Sequence, residues 1–383
     1  MKASTMFLDK KIAVVAVAYF TISAAFVFKF GIQLGGEAEK FIDNGNRIAN
    51  GQEFFNGVFG YFYLVYSLLV ALFIKLSVNF IFVAVLQIML SFFAALCLYK
   101  LLKQILVNNN IAFLFFIIYL LCYPIQKWNF FLYSESVHTS LLVIGIYLFN
   151  KVLVEKKVSV LLSFLIVVLL ILFSRPVGVI FCVAAFTVIF FWLHQNKKRV
   201  QFYILTGISI ISLFIILNSP FTAFVNPDSI RRMEIICQVP ETNNVTAYKE
   251  YNREGLYKAF SVIKDEVGFS NFFKIGFLKL KYFFSMYRSY YSWQNNLLLI
   301  CFTIFYPFVL IGIFSKPAKT FNYIRLFAVT YLLLTSIGIF FTCDEWSNRF
   351  ISPAFPFVLI LAACGVLSVF KRFIKPNLIE SLS

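Results

Sequence analysis

Charge is what this chain has least of. Asp, Glu, Lys and Arg make up 13% of its 383 residues, whereas 61% are hydrophobic and 20% aromatic, and the mean hydropathy is +0.85. That balance excludes a soluble globular domain, in which about a quarter of residues are charged. Acid is scarcer than base, with 17 Asp and Glu against 34 Lys and Arg. In an apolar chain such an excess acts as a topology signal and a contact to anionic lipid, so no nucleic-acid partner is expected. Only two histidines occur, His138 and His194, and the cysteines at 97, 122, 182, 237, 301, 343 and 364 have no metal-ligand spacing. A Cys237–Cys343 disulfide is one pairing the sequence permits. Internal repeats and low-complexity linkers are also absent. No small-residue cleavage site follows the first apolar run, so an uncleaved first helix is expected.

What is present is a series of long apolar runs. "LLSFLIVVLLILF" shows no alternation, and backbone groups in hydrocarbon must pair internally, so these runs predict membrane-spanning helices rather than a barrel. Ten spans are expected, near 12–33, 79–99, 111–124, 137–153, 158–174, 176–194, 202–217, 297–314, 323–341 and 350–370. A further apolar run at 61–76 would invert everything after it if it crossed. With 61–76 taken as dipping into the outer leaflet, Lys2, Lys10, Lys11, Lys100, Lys103, Lys151, Lys156, Lys157, Lys197, Lys198, Arg199, Lys316, Lys319, Arg325, Lys371, Arg372 and Lys375 share one side. Only Asp9, Glu155 and Glu380 accompany them, which leaves 14 of the 17 acids opposite. The positive-inside rule then makes both termini cytoplasmic. The expected fold is an all-α polytopic membrane protein of about ten transmembrane helices, with juxtamembrane helices in its first outer loop. Three segments organise it: a transmembrane module over 1–217 that includes outer loop 34–78, an outer loop over 218–296, and C-terminal helices with a tail over 297–383. In that long loop, "FFKIGFLKLKYFFSMYRSYYSW" reads as an interfacial helix, with Lys274, Lys279, Lys281 and Arg288 facing headgroups.

The scarce acids gather on the outer side. In "GGEAEKFIDNGNRIANGQ", Ala38, Phe41, Ile42, Ile48 and Ala49 recur at helical spacing, with Glu37, Glu39, Asp43 and Arg47 around them. Glu135 stands at the mouth of a later span beside Ser134, Ser136, His138 and Thr139, where it either caps the helix or does chemistry. His138 is expected to face an interface or to pair locally rather than to ligate a metal. Arg175, between two apolar runs and before Pro176, is costly in a membrane and marks a place where something anionic or polar is held. The last outer turn, "CDEWSNRFISPAFPF", adds Asp344, Glu345 and Arg349. Arginines that hold a phosphate, beside carboxylates that take a proton from a hydroxyl, suit displacement at a sugar carbon with a lipid phosphate leaving.

The order of these motifs resembles the GT-C superfamily of polyprenyl-phosphate-sugar glycosyltransferases, particularly bacterial relatives of protein O-mannosyltransferases and of the lipid A aminoarabinose transferase. The resemblance runs from about residue 12 to 370. It rests on the acidic "EAEKFIDNGNRIANG", the juxtamembrane "GYFYLVYSLLVALF", the "YSES" turn, the "RP" after a span and the final "RF..P..P". The family's first acid is usually Asp, where this chain has Glu37 with Glu39 as the alternative, and its usual Pro-Pro before the juxtamembrane segment is missing. The resemblance implies an inverting glycosyltransferase of the bacterial plasma membrane, with its active site on the extracytoplasmic face. Its partners would be a polyprenyl-phosphate-linked sugar, an extracytoplasmic acceptor and membrane lipids. Glu37 or Glu39 would be the base and Glu135 a second acid, with Arg175 and Arg349 as phosphate clamps. Asp344, Glu345, Tyr63 and Ser134 would contact substrate. No cofactor is required, though a divalent metal is compatible. Two other readings stay open: a polysaccharide polymerase or ligase, and a lipid-linked sugar transporter or flippase.

Overall fold

The computed structural model describes residues 2–52, 58–197, 230–237, 256–315, 319–343 and 347–373. All regular structure among them is helical, apart from one isolated parallel bridge between Gln33 and Phe131. Seven helices are long and apolar enough to cross a membrane: Lys10–Phe30, Ile81–Leu106, Ser134–Glu155, Gly178–Gln195, Trp293–Phe314, Asn322–Phe341 and Phe355–Arg372. An eighth is added if Asn109–Leu121 and Tyr123–Phe130, bent by 48°, form one span. Helix Val158–Leu172 is shorter, and the expected span at 202–217 lies outside the described residues. The apolar run at 61–76 folds as helix Leu64–Lys75, whose 12 residues fall short of the ~20 that cross a bilayer upright.

The chain divides into two compact units. The first comprises residues 1–182, 305–325 and 355–383, and the second 183–304 and 326–354. In the first unit we label α1 (Lys2–Phe30), α2 (Glu37–Ala49), α3 (Leu64–Lys75), α4 (Ile81–Leu106), α5 (Asn109–Leu121), α6 (Ser134–Glu155) and α7 (Val158–Leu172). Local sequence sets several of their ends. Gly36 takes φ 67°, a conformation natural to glycine, just before α2, and Glu37 and Glu39 then sit in the first turn where the helix dipole favours them. Asn108 caps α5 by accepting from the Ile111 amide at 3.0 Å. Pro124 follows the extended Cys122 and breaks the helix there. Helix α2 lies on α3 through Ala38, Phe41 and Gly45, all buried, and a Cβ on Gly45 would meet Val70 at 2.8 Å. The amphipathic helix read from the first outer loop is therefore present, although its contact face is narrower than the expected set of five residues.

Two ends of this bundle differ in chemistry. At one, Asn150 donates to Gln104 at 2.8 Å, near Lys103, Lys151 and Lys157. At the other, three interhelical segments meet. The Gln33 amide donates to Phe130 O at 2.8 Å and Gln33 O accepts from Leu132 at 3.1 Å, while the Val65 amide donates to Phe173 O at 3.0 Å.

The second unit holds helix α8 (Gly178–Gln195) beyond residue 182 and helix α9 (Phe269–Ser285). Ile230, Ala259, Val262, Ile263, Val267 and Phe272 form an apolar cluster, and Phe272 stacks edge-on against Phe340 at 5.4 Å. Cys237 and Cys343 are joined in a disulfide. Helix α9 exposes Phe269, Phe273 and Phe277 at one-turn spacing together with Lys274 and Lys281, as an interfacial helix would. Two of its expected headgroup contacts are corrected. Lys279 and Arg288 point inward: Lys279, 2% exposed, donates to Thr342 O, and Arg288, 0% exposed, donates to Tyr282 O and Tyr287 O, both at 3.0 Å. Carbonyls at and just beyond the ends of helices take these two cations instead, because the last carbonyls of a helix are open to donors from outside it.

Two outcomes follow. Labelling the denatured protein with a thiol-reactive polymer should modify five cysteines without reductant and all seven after reduction, since the disulfide withholds two. Seven modified without reductant means the bridge does not form. The second concerns Lys279, whose pKa burial pushes down from 10.5 to about 8 against the opposing pull of Glu234. Between those values the unfolded chain holds a proton that the folded chain has lost, so this lysine's contribution to stability rises with pH from about 8 to 10.5. The difference in Tm between wild type and Lys279→Met should therefore shift in favour of wild type across that window; a flat difference would show the ammonium to be solvated.

Candidate functional site

Glu135 is the second residue of α6 and 1% exposed; it pairs with Arg175, 4% exposed, in the turn between α7 and α8. The turn is held at that depth because Pro176 cannot continue α7 and Gly178 packs against the Ile171 carbonyl, where a Cβ would collide with backbone. Glu135 therefore does not serve merely as a helix cap: α6 is preceded by Tyr133, with no side-chain cap. A second pair lies one turn along. His138 Nδ1 and Ser174 Oγ are 2.6 Å apart, and Ser174 gives its hydroxyl proton to Ile171 O at 2.8 Å. The serine oxygen is thus left to accept, which assigns the proton to Nδ1 and the lone pair to Nε2. That Nε2, fully buried, has no hydrogen-bond partner among the described residues. Arg175 Nε likewise has none among the described residues, while Nη1 meets Glu135.

Glu37 is half-buried at the start of α2. Its amide donates to the Tyr133 hydroxyl at 3.3 Å, and that hydroxyl donates to Gly35 O at 3.1 Å. A Cβ on Gly36 would stand 2.7 Å from the same oxygen. Tyr133 so ties the acidic turn of α2 to the entry of α6, two residues before Glu135. Glu39 and Asp43 are exposed on the outer face of α2. Tyr63 precedes α3 and carries the Lys40 ammonium 4.0 Å above its ring. Ser134 is buried at the start of α6. Arg349 belongs to the second unit, 9% exposed, with its guanidinium 5.7 Å from the Phe350 ring centre. Asp344 and Glu345 lie outside the described residues.

Beneath these residues runs a polar network that the sequence reading passed over. Tyr19 donates to Gln126 Oε1 at 2.8 Å, as do Asn129 at 2.8 Å and Ser91 at 3.3 Å, while Gln126 Nε2 donates to Tyr119 O at 3.0 Å. Ser136 donates to Asn129 Oδ1 at 2.5 Å. Gln87 Nε2 donates to Asn129 O at 3.1 Å and Phe131 O at 3.0 Å, and Gln87 Oε1 accepts from Tyr66 at 2.9 Å. One signal was available: an amide in the apolar run "FVAVLQIMLSFF" is costly unless it has a partner. No group of three or more His, Cys, Asp or Glu able to hold a metal occurs among the described residues.

No protein-family model matches the chain, and no curated protein matches it significantly. What the structure defines is the class, an all-helical membrane protein with a buried ion pair at one end of its first unit.

The ion pair makes a stability prediction. Removing one partner strands the other in a poorly solvated place, so Glu135→Leu and Arg175→Met should each cost about 3–5 kcal/mol of unfolding free energy in detergent. The double variant should cost far less than the sum. Additive losses would show that the two charges are not coupled.

Proposed function

We propose that the protein is an inverting glycosyltransferase that moves a sugar from a polyprenyl-phosphate carrier to an extracytoplasmic acceptor. The observation that carries the reading is the Tyr133 tie, which brings the acidic first turn of α2 to the same bundle end as the Glu135–Arg175 pair. Base and phosphate-binding groups thereby share one depth, as transfer from a lipid phosphate requires. In this mechanism the Glu37 carboxylate takes the proton from the acceptor hydroxyl, with Glu39, two residues later, as the alternative. The freed oxygen attacks the sugar's anomeric carbon from the face opposite the phosphate, and the phosphate leaves with the bonding pair. Arg175 would take that phosphate through its Nε, which has no partner among the described residues, while Glu135 holds the guanidinium in place through Nη1. Tyr63 and Ser134, in the same unit, would contact substrate. In an arrangement of ten spans with both termini in the cytoplasm, this end of the bundle would face outside. Within the second unit, the Cys237–Cys343 disulfide supports an extracytoplasmic place for the two segments it joins, because such bonds persist in oxidising compartments.

The test is chemical. Purified protein is given a membrane extract of lipid-linked sugars, and loss of each sugar-phosphate lipid is followed by mass spectrometry. Glu37→Gln keeps size and most hydrogen bonding but removes the base, so turnover should drop by roughly 10²-fold or more with unchanged thermal stability. Turnover within about threefold of wild type would move the base to Glu39 or end the proposal.

A further inference from the structure

Helix α10 (Phe305–Phe314) and helix α12 (Phe355–Phe373), separated by helix α11 (Lys319–Phe341), cross within the first unit at two glycines. A Cβ on Gly312 would collide with Leu361 O, and one on Gly365 with Phe308 O. Each glycine thus faces the carbonyl one turn before the other, and because Phe314 and Ser315 line one cavity with Ser368, Val369 and Arg372, the C-terminal ends of the two helices lie together. Small residues at the crossing let the backbones touch there, in the manner of close membrane helix pairs. Past the crossing, the side chains grow larger and the helices part. A cavity of about 560 Å³ opens between them, lined by Leu310, Ile311, Phe314, Ser315, Val369 and Arg372, together with Ser368.

The chemistry of that cavity is two-sided. Leu310, Ile311 and Phe314 are 62%, 41% and 81% exposed, so its outer wall is apolar and uncovered. Its hydroxyls are already spent: Ser315 donates to Gly312 O at 2.9 Å and Ser368 to Cys364 O at 3.0 Å. Arg372, exposed in the last turn of a helix that is apolar enough to cross a membrane, has no ion pair or hydrogen bond among the described residues. No acid is among the described residues that line the cavity. An apolar slot that ends in a cation with no partner among the described residues, in the last turn of a helix apolar enough to cross a membrane, fits a single amphiphile.

We propose that this cleft binds an anionic glycerophospholipid, one acyl chain lying along Leu310, Ile311, Phe314 and Val369 and its phosphate on Arg372. The site is separate from the Glu135–Arg175 region and does not depend on the glycosyltransferase reading. The volume falls within the usual range of ligand pockets. A cation near the membrane surface contributes about fivefold in affinity for an anionic lipid.

The experiment is native mass spectrometry of the full chain released from micelles after delipidation and addition of phosphatidylglycerol, phosphatidylethanolamine or undecaprenyl phosphate. Wild type should retain phosphatidylglycerol about fivefold better than phosphatidylethanolamine. Arg372→Gln should abolish the preference. Val369→Trp, which fills the slot and leaves the charge, should lower retention of both glycerophospholipids. Lys371→Gln, a neighbouring exposed cation outside the cavity, should change neither. Equal loss in Lys371→Gln and Arg372→Gln would reduce the effect to net charge and overturn the site. So would unchanged retention in Val369→Trp. Preferential retention of undecaprenyl phosphate that is lost in Arg372→Gln would overturn the assigned lipid class.

Discussion

The first unit depends on satisfying the backbone where one helix breaks into short helical turns before the next begins. Between α5 and α6 the chain breaks at Cys122 and Pro124 and reaches Tyr133 through short turns. In a membrane such backbone is tolerated only where protein supplies its hydrogen bonds. Gln87 does so from α4, with both amide protons on carbonyls of this segment, and Gln33 does so from the end of α1. Gln126 and Asn129 close the network inward onto Tyr19, Tyr119, Ser91 and Ser136. Without Gln87 the carbonyls of Asn129 and Phe131 would lose their amide donor, and each buried polar group left so costs about 1–3 kcal/mol.

That segment decides what can be presented at this end of the bundle. Because Phe131 is fixed to Gln33, Tyr133 is carried beneath Gly36 and Glu37, and α6 begins at a set height. Glu135 and His138, one turn apart, then meet Arg175 and Ser174, which are adjacent in sequence. The turn between α7 and α8 is clasped twice by one face of α6. An arginine held on one side by a carboxylate loses less freedom on binding an anion than a solvated one would, which is preorganisation in its simplest form. The same pairing neutralises its charge in part. Attraction for an anion is therefore weaker than a lone arginine would provide, and specificity of geometry replaces it.

Much of the architecture was legible in advance because hydrophobic runs and helical periods are local properties. The spans at 12–33, 79–99, 297–314, 323–341 and 350–370 fall on helices of the structure, and the amphipathic reading of 37–49 matches α2. Glu135 and Arg175 stood out singly, since a charge within an apolar run is conspicuous wherever it lies. Their partnership was not legible, because residues 40 positions apart carry no mark of contact in a single sequence. The network of Gln87, Gln126 and Asn129 went unread for another reason. Neutral amides look like ordinary polar residues until the carbonyls they serve are located. Lys279 and Arg288 misled in the opposite way, because a basic residue on an aromatic helix suggests headgroups, whereas these two found carbonyls inside the second unit.

By itself the sequence determined that this is an apolar, helical, membrane-embedded chain, that its acids are few, and where the costly charges stand along it. Those facts follow from composition and from the period of side chains on a helix, neither of which needs the fold. Only the tertiary structure decided that Glu135 faces Arg175, that His138 carries its proton on Nδ1, that Tyr133 binds α2 to α6, and that Gly312 and Gly365 bring two distant helices to backbone contact. Each of these depends on which helix faces share a depth, and that is set by the crossing of elements far apart in the chain.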